Sequence, residues 1–277
     1  MVDISLGDYG AAVRYEISPR PAALAQTIEA LGFGTLWIGD NQPEDLRHVE
    51  EALGATTNLR VATGIINIWT AGAGPVAEAF HRIEGKYPGR FLLGVGVGHR
   101  EHNQAYASPY EALVQYLDNL DAAGVPVDRR MLAALGPRML ELARSRTAGA
   151  LPYQVPTRYT DKARLVLGAG KLLVVQSDAV LDDKSGDAWK VARQSVGYYV
   201  KLGNYAANFR RLGFSEHDLT NGGSDRLVKE VSAFGSAEQI ARKLQAHKKV
   251  ADHVIVRVLP ESDLEPTLHA VSDALDL

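Results

Sequence analysis

A glycine run that ends in a histidine, Gly94-Val95-Gly96-Val97-Gly98-His99, is the densest group of residues suited to holding a ligand in this sequence. It follows the apolar stretch Arg90–Leu93. Glycines at a strand end let backbone N–H groups approach an anion or a flat ring, or let two elements pack closely, and both readings are open. The spacing is GxGxG rather than GxGxxG and no helix starts at once, so a dinucleotide fingerprint is poorly matched. His99 is suited to acid/base work or to donating a hydrogen bond. His99-Arg100-Glu101-His102 imitates a metal motif, but HExxH and HxxEH both fail on spacing and there is no cysteine to help, so no metal is expected.

Other reactive residues fall at the ends of apolar runs. Gly136-Pro137 opens the helix-like stretch PRMLELARSR, and Pro at a first helical position leaves N–H groups pointing out along the positive end of the dipole. That suits a phosphate, and it is also how many helices start. Asp40-Asn41 closes the run TLWIG with two short polar side chains, as ligand contacts or as a turn. Thr63-Gly64-Ile65 sets a glycine inside an apolar run, which marks a bulge or the close approach of a ligand, or nothing beyond a small residue. Arg257 interrupts an apolar run, so it is a structural ion pair or a substrate anchor. Asp252 and His253, at the start of that run, read as structural. No GxSxG occurs, and Ser177-Asp178 lacks a convincing histidine partner.

The elements that must position these groups alternate. Strand candidates are Asp3–Leu6, Thr35–Gly39, Leu59–Ile68, Arg90–Val97, Met131–Leu135, Ala148–Tyr153, Leu172–Gln176 and His253–Leu259. Several are apolar on both faces, as in a parallel sheet covered on both sides. Amphipathic stretches separate them: Pro21–Leu31, Leu46–Thr56, Pro75–Glu84, Ser108–Ala122 and Pro137–Ser145. Across 277 residues, eight strands give about 35 residues per unit, a normal repeat for a single α/β domain of the TIM-type (β/α)8 barrel, spanning 1–277. An open doubly wound sheet is the rival. The largest insertion lies between strands seven and eight and carries helices at Asp187–Leu202, Ser224–Phe234 and Ser236–His247. In a barrel it would sit over the carboxyl-terminal mouth, so the segment from about 182 to 236 is expected to close over the site.

Composition narrows the partners. Thirty Lys+Arg against 33 Asp+Glu, a net charge of −3, without a basic stretch, argue against nucleic acid. The absence of cysteine removes disulfides and thiolate chemistry. No signal-like start and no apolar run near the roughly 20 residues of a membrane span point to a cytoplasmic protein that does not contact a membrane.

Taken in order, LGFGTLWIGD, NLRVATGIINIW, YPGRFLLGVGVGH, MLAALGPRMLELARSRTAGALPY and VADHVIVRVL resemble the luciferase-like monooxygenase superfamily, in its branch using the deazaflavin coenzyme F420. The resemblance runs over essentially the whole chain. It implies a TIM-type barrel, a flat tricyclic cofactor in the mouth, a homodimer, and a non-prolyl cis peptide matching Gly64-Ile65. It implies a cofactor set of Asp40, Thr63, Gly64, Ile65, Gly96, Val97, Gly98, His102, Ala134, Leu135, Gly136 and Pro137, with His99 as acid/base beside Asp40 and Asn41. F420-dependent sugar-phosphate dehydrogenases of this superfamily have Asp-His where this chain has Asp40-Asn41, and an acidic residue where it has His99. Sugar-phosphate oxidation is therefore not carried over. The implied function is an F420-dependent oxidoreductase acting on an unidentified small-molecule substrate; the alternatives are an FMN-dependent monooxygenase, a non-catalytic binder of either cofactor, and a metal-dependent hydrolase on the same barrel.

Overall fold

The computed structural model describes residues 5–17, 20–39, 42–102, 108–182 and 186–277. Ten strands run in chain order: β1 Tyr9–Arg14, β2 Thr35–Gly39, β3 Arg60–Thr63, β4 Ile66–Asn67, β5 Phe91–Gly96, β6 Arg130–Leu132, β7 Gly149–Ala150, β8 Leu172–Leu181, β9 Ser232–Gly235 and β10 His253–Val258. Every pairing is parallel, in the order β1-β2-β3-β5-β6-β7-β8-β10, and β10 pairs β1 as well as β8, so the sheet closes into an eight-stranded barrel. Two short strands lie outside that circuit. β4 continues the path of β3 past a cis Gly64–Ile65 peptide and pairs Val95 and Gly96 of β5. β9 pairs Asp178–Leu181 of β8 beyond the reach of β7.

Alternation along each strand builds two cores. Leu36, Ile38, Phe91, Leu93, Val175 and Val256 face outward into the helix layer. Trp37, Ala62, Leu92, Met131, Val174 and Ile255 face the axis and fill the barrel, joined by Leu6, Ala148 and Leu151. Outer helices follow the strands, and their boundaries obey local chemistry. Pro21 opens the helix ending at Ala30 and Gly32 follows with φ +82. A capping box between Ser236 and Gln239 starts the helix Ala237–Lys248.

The structure moves several expected elements. The first strand is Tyr9–Arg14, not Asp3–Leu6, of which residues 3 and 4 lie outside the described part. Leu59–Ile68 is broken in two at Gly64–Ile65, and the strand from Leu172 runs on to Leu181 instead of ending at Gln176. The helix expected over Ser224–Phe234 stops at Val231, because Ser232–Gly235 is drawn into the ladder with β8. Between β8 and β9 lie the helices Ala188–Tyr199, Gly203–Arg211 and Asp225–Val231.

Candidate active site

Two residues beyond the axial core, the same inward faces reach the carboxyl-terminal mouth and line a cavity of about 950 Å³. They divide it by size. Ala12 of β1, Gly39 of β2, Gly64 after β3 and Ala133 after β6 are small and leave a flat wall above Trp37. Tyr153 after β7, Gln176 of β8 and Arg257 of β10 are long and polar and form the opposite wall. Trp37 is held from below: its Nε1 donates 3.0 Å to Nε2 of buried His253, whose Nδ1 donates 2.7 Å to the Gly7 carbonyl. Burial keeps that histidine neutral, its pKa pushed down to about 4. Asp252 accepts from the Leu173 N–H and from Arg164.

The residues singled out in the sequence do not all reach the cavity. Gly64, Ile65, Val97, Gly98, His99, Ala134, Leu135, Gly136 and Arg257 line it. Thr63 does not: it is fully buried, and its hydroxyl donates to Gly94 O and accepts from Gly94 N, each at 2.8 Å. Gly96 is covered by Ile65, whose Cγ1 would lie 3.2 Å from a Cβ built there. Gly94 is a position for glycine alone, since a Cβ would fall 1.9 Å from the Thr63 carbonyl. Pro137 sits behind Gly136 as the first residue of the helix Pro137–Arg146, outside the lining, and His102 ends the 3-10 turn Arg100–His102. Asp40 and Asn41 lie outside the described residues. Among the described residues no three His, Asp or Glu side chains converge as a metal site.

The mouth also holds a polar cluster that the sequence did not announce. Asp178 of β8 is directly opposite Arg257 in the strand register and is fully buried. It accepts from Tyr153 Oη at 2.5 Å, from Gln154 Nε2 at 2.7 Å and from Ser195 Oγ at 2.5 Å, with Arg257 Nη1 at 3.5 Å. Arg257 Nη1 also donates 2.5 Å to Tyr153 Oη. Ser195 belongs to the insertion, so this cluster fastens the insertion to the barrel. Tyr199 and Tyr205 extend it as an aromatic chain: their rings are 4.8 Å apart, Tyr199 is 5.0 Å from Tyr153, and Tyr205 is 5.6 Å from His99. Burial, with Asp178 adding to it, raises the Tyr153 hydroxyl well above its ordinary range, so it remains a protonated phenol.

Across the cavity lies a different chemistry. Gly136 caps the helix Pro137–Arg146 with extended backbone and no side-chain cap, so its first N–H groups have no partner within the helix. Tyr159 donates 2.9 Å to the Leu135 carbonyl, fixing the turn that leads in. Arg211, from the insertion helix Gly203–Arg211, lines the same end, its Nη2 3.6 Å from where a Gly136 Cβ would stand. Arg211 donates 3.3 Å to Asn208 and makes no ion pair among the described residues. A cation facing a helix amino end is a competent anion site. Only the fold brings Arg211 there, 75 residues along the chain from Gly136.

A sequence profile for luciferase-like monooxygenases matches residues 10–123, the stretch carrying β1 to β5 and the His99 turn. Over those residues, somewhat under half of its length, the chain is similar to the luciferase-like monooxygenases. No curated protein matches it in sequence. Among solved structures, it is similar to an F420-dependent secondary alcohol dehydrogenase in complex with an F420-acetone adduct, at 14% identity and a TM-score of 0.74, over 97% of this chain and 98% of that one. It is similar to the coenzyme F420 dependent tetrahydromethanopterin reductase from Methanopyrus kandleri, at 15% identity and 0.75 over the same shares. It is also similar to the oxygenating constituent of 3,6-diketocamphane monooxygenase from Pseudomonas putida in complex with FMN, at 12% identity and 0.66, over 96% and 98%. At these identities the likeness is one of fold.

Proposed function

We propose that this chain is an F420-dependent oxidoreductase acting on a small organic substrate. The observation that carries the reading is that one cavity joins a flat wall of small residues to an anion site at Gly136 and Arg211. The fit is local: a Cβ built on Gly64 would stand over Trp37 and Leu151, at 3.4 and 3.8 Å, and the glycine leaves that height of the wall clear. Two F420-dependent structures, with TM-scores of 0.74 and 0.75 against 0.66 for the FMN enzyme, support the choice of cofactor.

When bound, F420 supplies a hydride donor or acceptor at its deazaflavin C5. The chain supplies everything around it. The N–H groups at the start of helix Pro137–Arg146 and the Arg211 guanidinium bind the phosphate. Trp37, Gly39, Gly64 and Ala133, which line one wall of the cavity, would hold the ring. The insertion, held by Ser195 on Asp178, excludes water from the mouth. His99 gives or takes the substrate proton at its imidazole.

Titration of the purified chain with F420 and, separately, with FMN tests this. Trp37 forms the floor, so intrinsic fluorescence reports occupancy directly. Micromolar or tighter F420 binding, with FMN weaker by at least about tenfold, is the expected result. A preference for FMN moves the chain to the flavin monooxygenases, and binding of neither removes the cofactor reading. F420 bound without turnover of any donor or acceptor makes it a carrier or sensor.

A further inference from the structure

The cavity carries its charge unevenly. At the Gly136 end Arg211 has no ion pair among the described residues. At the opposite end Arg257, only 19% exposed, faces a carboxylate with no exposure at all. Three neutral donors, from Tyr153, Gln154 and Ser195, converge on the two oxygens of Asp178 and leave no donor to spare there for a second anion. Guanidinium and carboxylate cancel.

The direction of the hydrogen bonds decides what is left over. The Tyr153 proton is committed to Asp178, and Arg257 Nη1 is committed to the Tyr153 oxygen. Arg257 Nε and Nη2 make no hydrogen bond to a described residue, and neither is sealed off inside the protein. They are the donors this cluster offers to the cavity, set beside the faces of Tyr153 and Tyr199. A carboxylate or phosphate placed there would bring an uncompensated charge next to buried Asp178, whereas an uncharged oxygen would gain the same two donors without that repulsion.

We propose that Arg257 holds an uncharged oxygen of the substrate, a carbonyl or a hydroxyl, and that Asp178 is the residue that makes the site reject anions there. The inference rests on the cavity being the substrate site of the oxidoreductase proposed above. It also divides the cavity: the anionic part of the cofactor belongs at Arg211, the neutral substrate at Arg257.

Calorimetric titration of the full chain, with and without F420, against 2-acetylnaphthalene and 2-naphthoate tests it. These ligands share a flat apolar body and differ in whether the oxygen is charged. The wild-type chain is expected to bind the ketone at least about tenfold more tightly, although a lone guanidinium would favour the carboxylate. Arg257→Met should weaken the ketone about tenfold, and Asp178→Asn should reverse the order in favour of naphthoate. Each single variant leaves one buried charge without its partner, so the double variant Arg257→Met/Asp178→Asn, which removes both charges together, is measured alongside and should lose the preference for the ketone; a retained tenfold preference in it would overturn the proposal. Naphthoate preferred by the wild type, or Arg257→Met binding the ketone as before, overturns the proposal. The F420 titration in the same series is read separately: loss of F420 binding with the ketone preference intact removes the cofactor reading and leaves the selectivity of Arg257 and Asp178 standing.

Discussion

His99 and Gly136 line one cavity but belong to different tasks, and single substitutions should separate them. His99 packs its ring against Tyr205 at 5.6 Å and Tyr199 at 6.4 Å, on the side that leads towards Arg257. As the proposed acid/base, it would contribute to the barrier and little to cofactor affinity. His99→Ala should lower turnover at least about a hundredfold with the F420 dissociation constant unchanged; undiminished turnover removes it from the mechanism. Gly136→Asp should do the reverse, setting a carboxylate at the amino end of the helix proposed to hold the phosphate and weakening F420 before it affects chemistry. Equal F420 affinity in that variant would place the phosphate elsewhere. At this scale the sequence was half legible. His99, the glycines and Gly136 stand in ordered runs. The cluster around Asp178 is assembled from the segment after β7, from β8, β10 and an insertion helix, and its trace in the sequence was only Asp178 just past one apolar run and Arg257 interrupting another.

Elements are joined by a few side chains, and Glu29 is the clearest of them. From the end of the helix Pro21–Ala30 it accepts the N–H groups of Thr57, Asn58 and Leu59, which lead into β3, at distances between 2.6 and 3.2 Å. Burial works against its charge, but the three backbone donors outweigh it and hold the carboxyl below its ordinary value. A carboxylate lowered in the folded state stabilises the fold above the unfolded pKa, about 4.5, and stops doing so as pH falls through the folded value. Glu29→Ala should therefore cost about 1–2 kcal/mol at pH 7 and progressively less below pH ~4.5, measured by urea unfolding. A penalty independent of pH would mean that Glu29 acts by packing. The elements also show why periodicity found most strands and missed the first. β2, β3, β5, β8 and β10 are apolar on both faces, the pattern of a covered parallel sheet. β1 reads YGAAVR, because its inward positions must be small to leave room at the mouth, and small residues carry little strand signal. β8 looked shorter than it is for a related reason: Gln176, Ser177 and Asp178 interrupt its apolar run before Ala179–Leu181 resume it.

For the molecule as a whole, acid sensitivity should begin well above the carboxylate range. His247 and His253 are buried and held neutral, chiefly by loss of solvation, with pKa values pushed down to about 3 and about 4. The unfolded chain takes up these protons near 6.5 and the folded chain does not, so the unfolded state binds more protons between about 6.5 and 4 and stability falls as pH drops through that window. The thermal midpoint should decline between pH 6.5 and 5, with His247→Gln flattening part of the slope. A midpoint flat over that range would show that these histidines take up protons without unfolding. The closure of the barrel has another consequence, for synthesis. β10 pairs with both β1 and β8, so the ladder joining Tyr9–Ala12 to Val254–Arg257 cannot form until residues 253–258 have been made. Until then the nascent sheet carries two unpaired parallel edges, at β1 and β8, and such edges recruit other strands. The ribosome thus holds, for most of translation, a chain with two adhesive borders, and the burden on chaperones should fall abruptly as that one segment clears the exit tunnel.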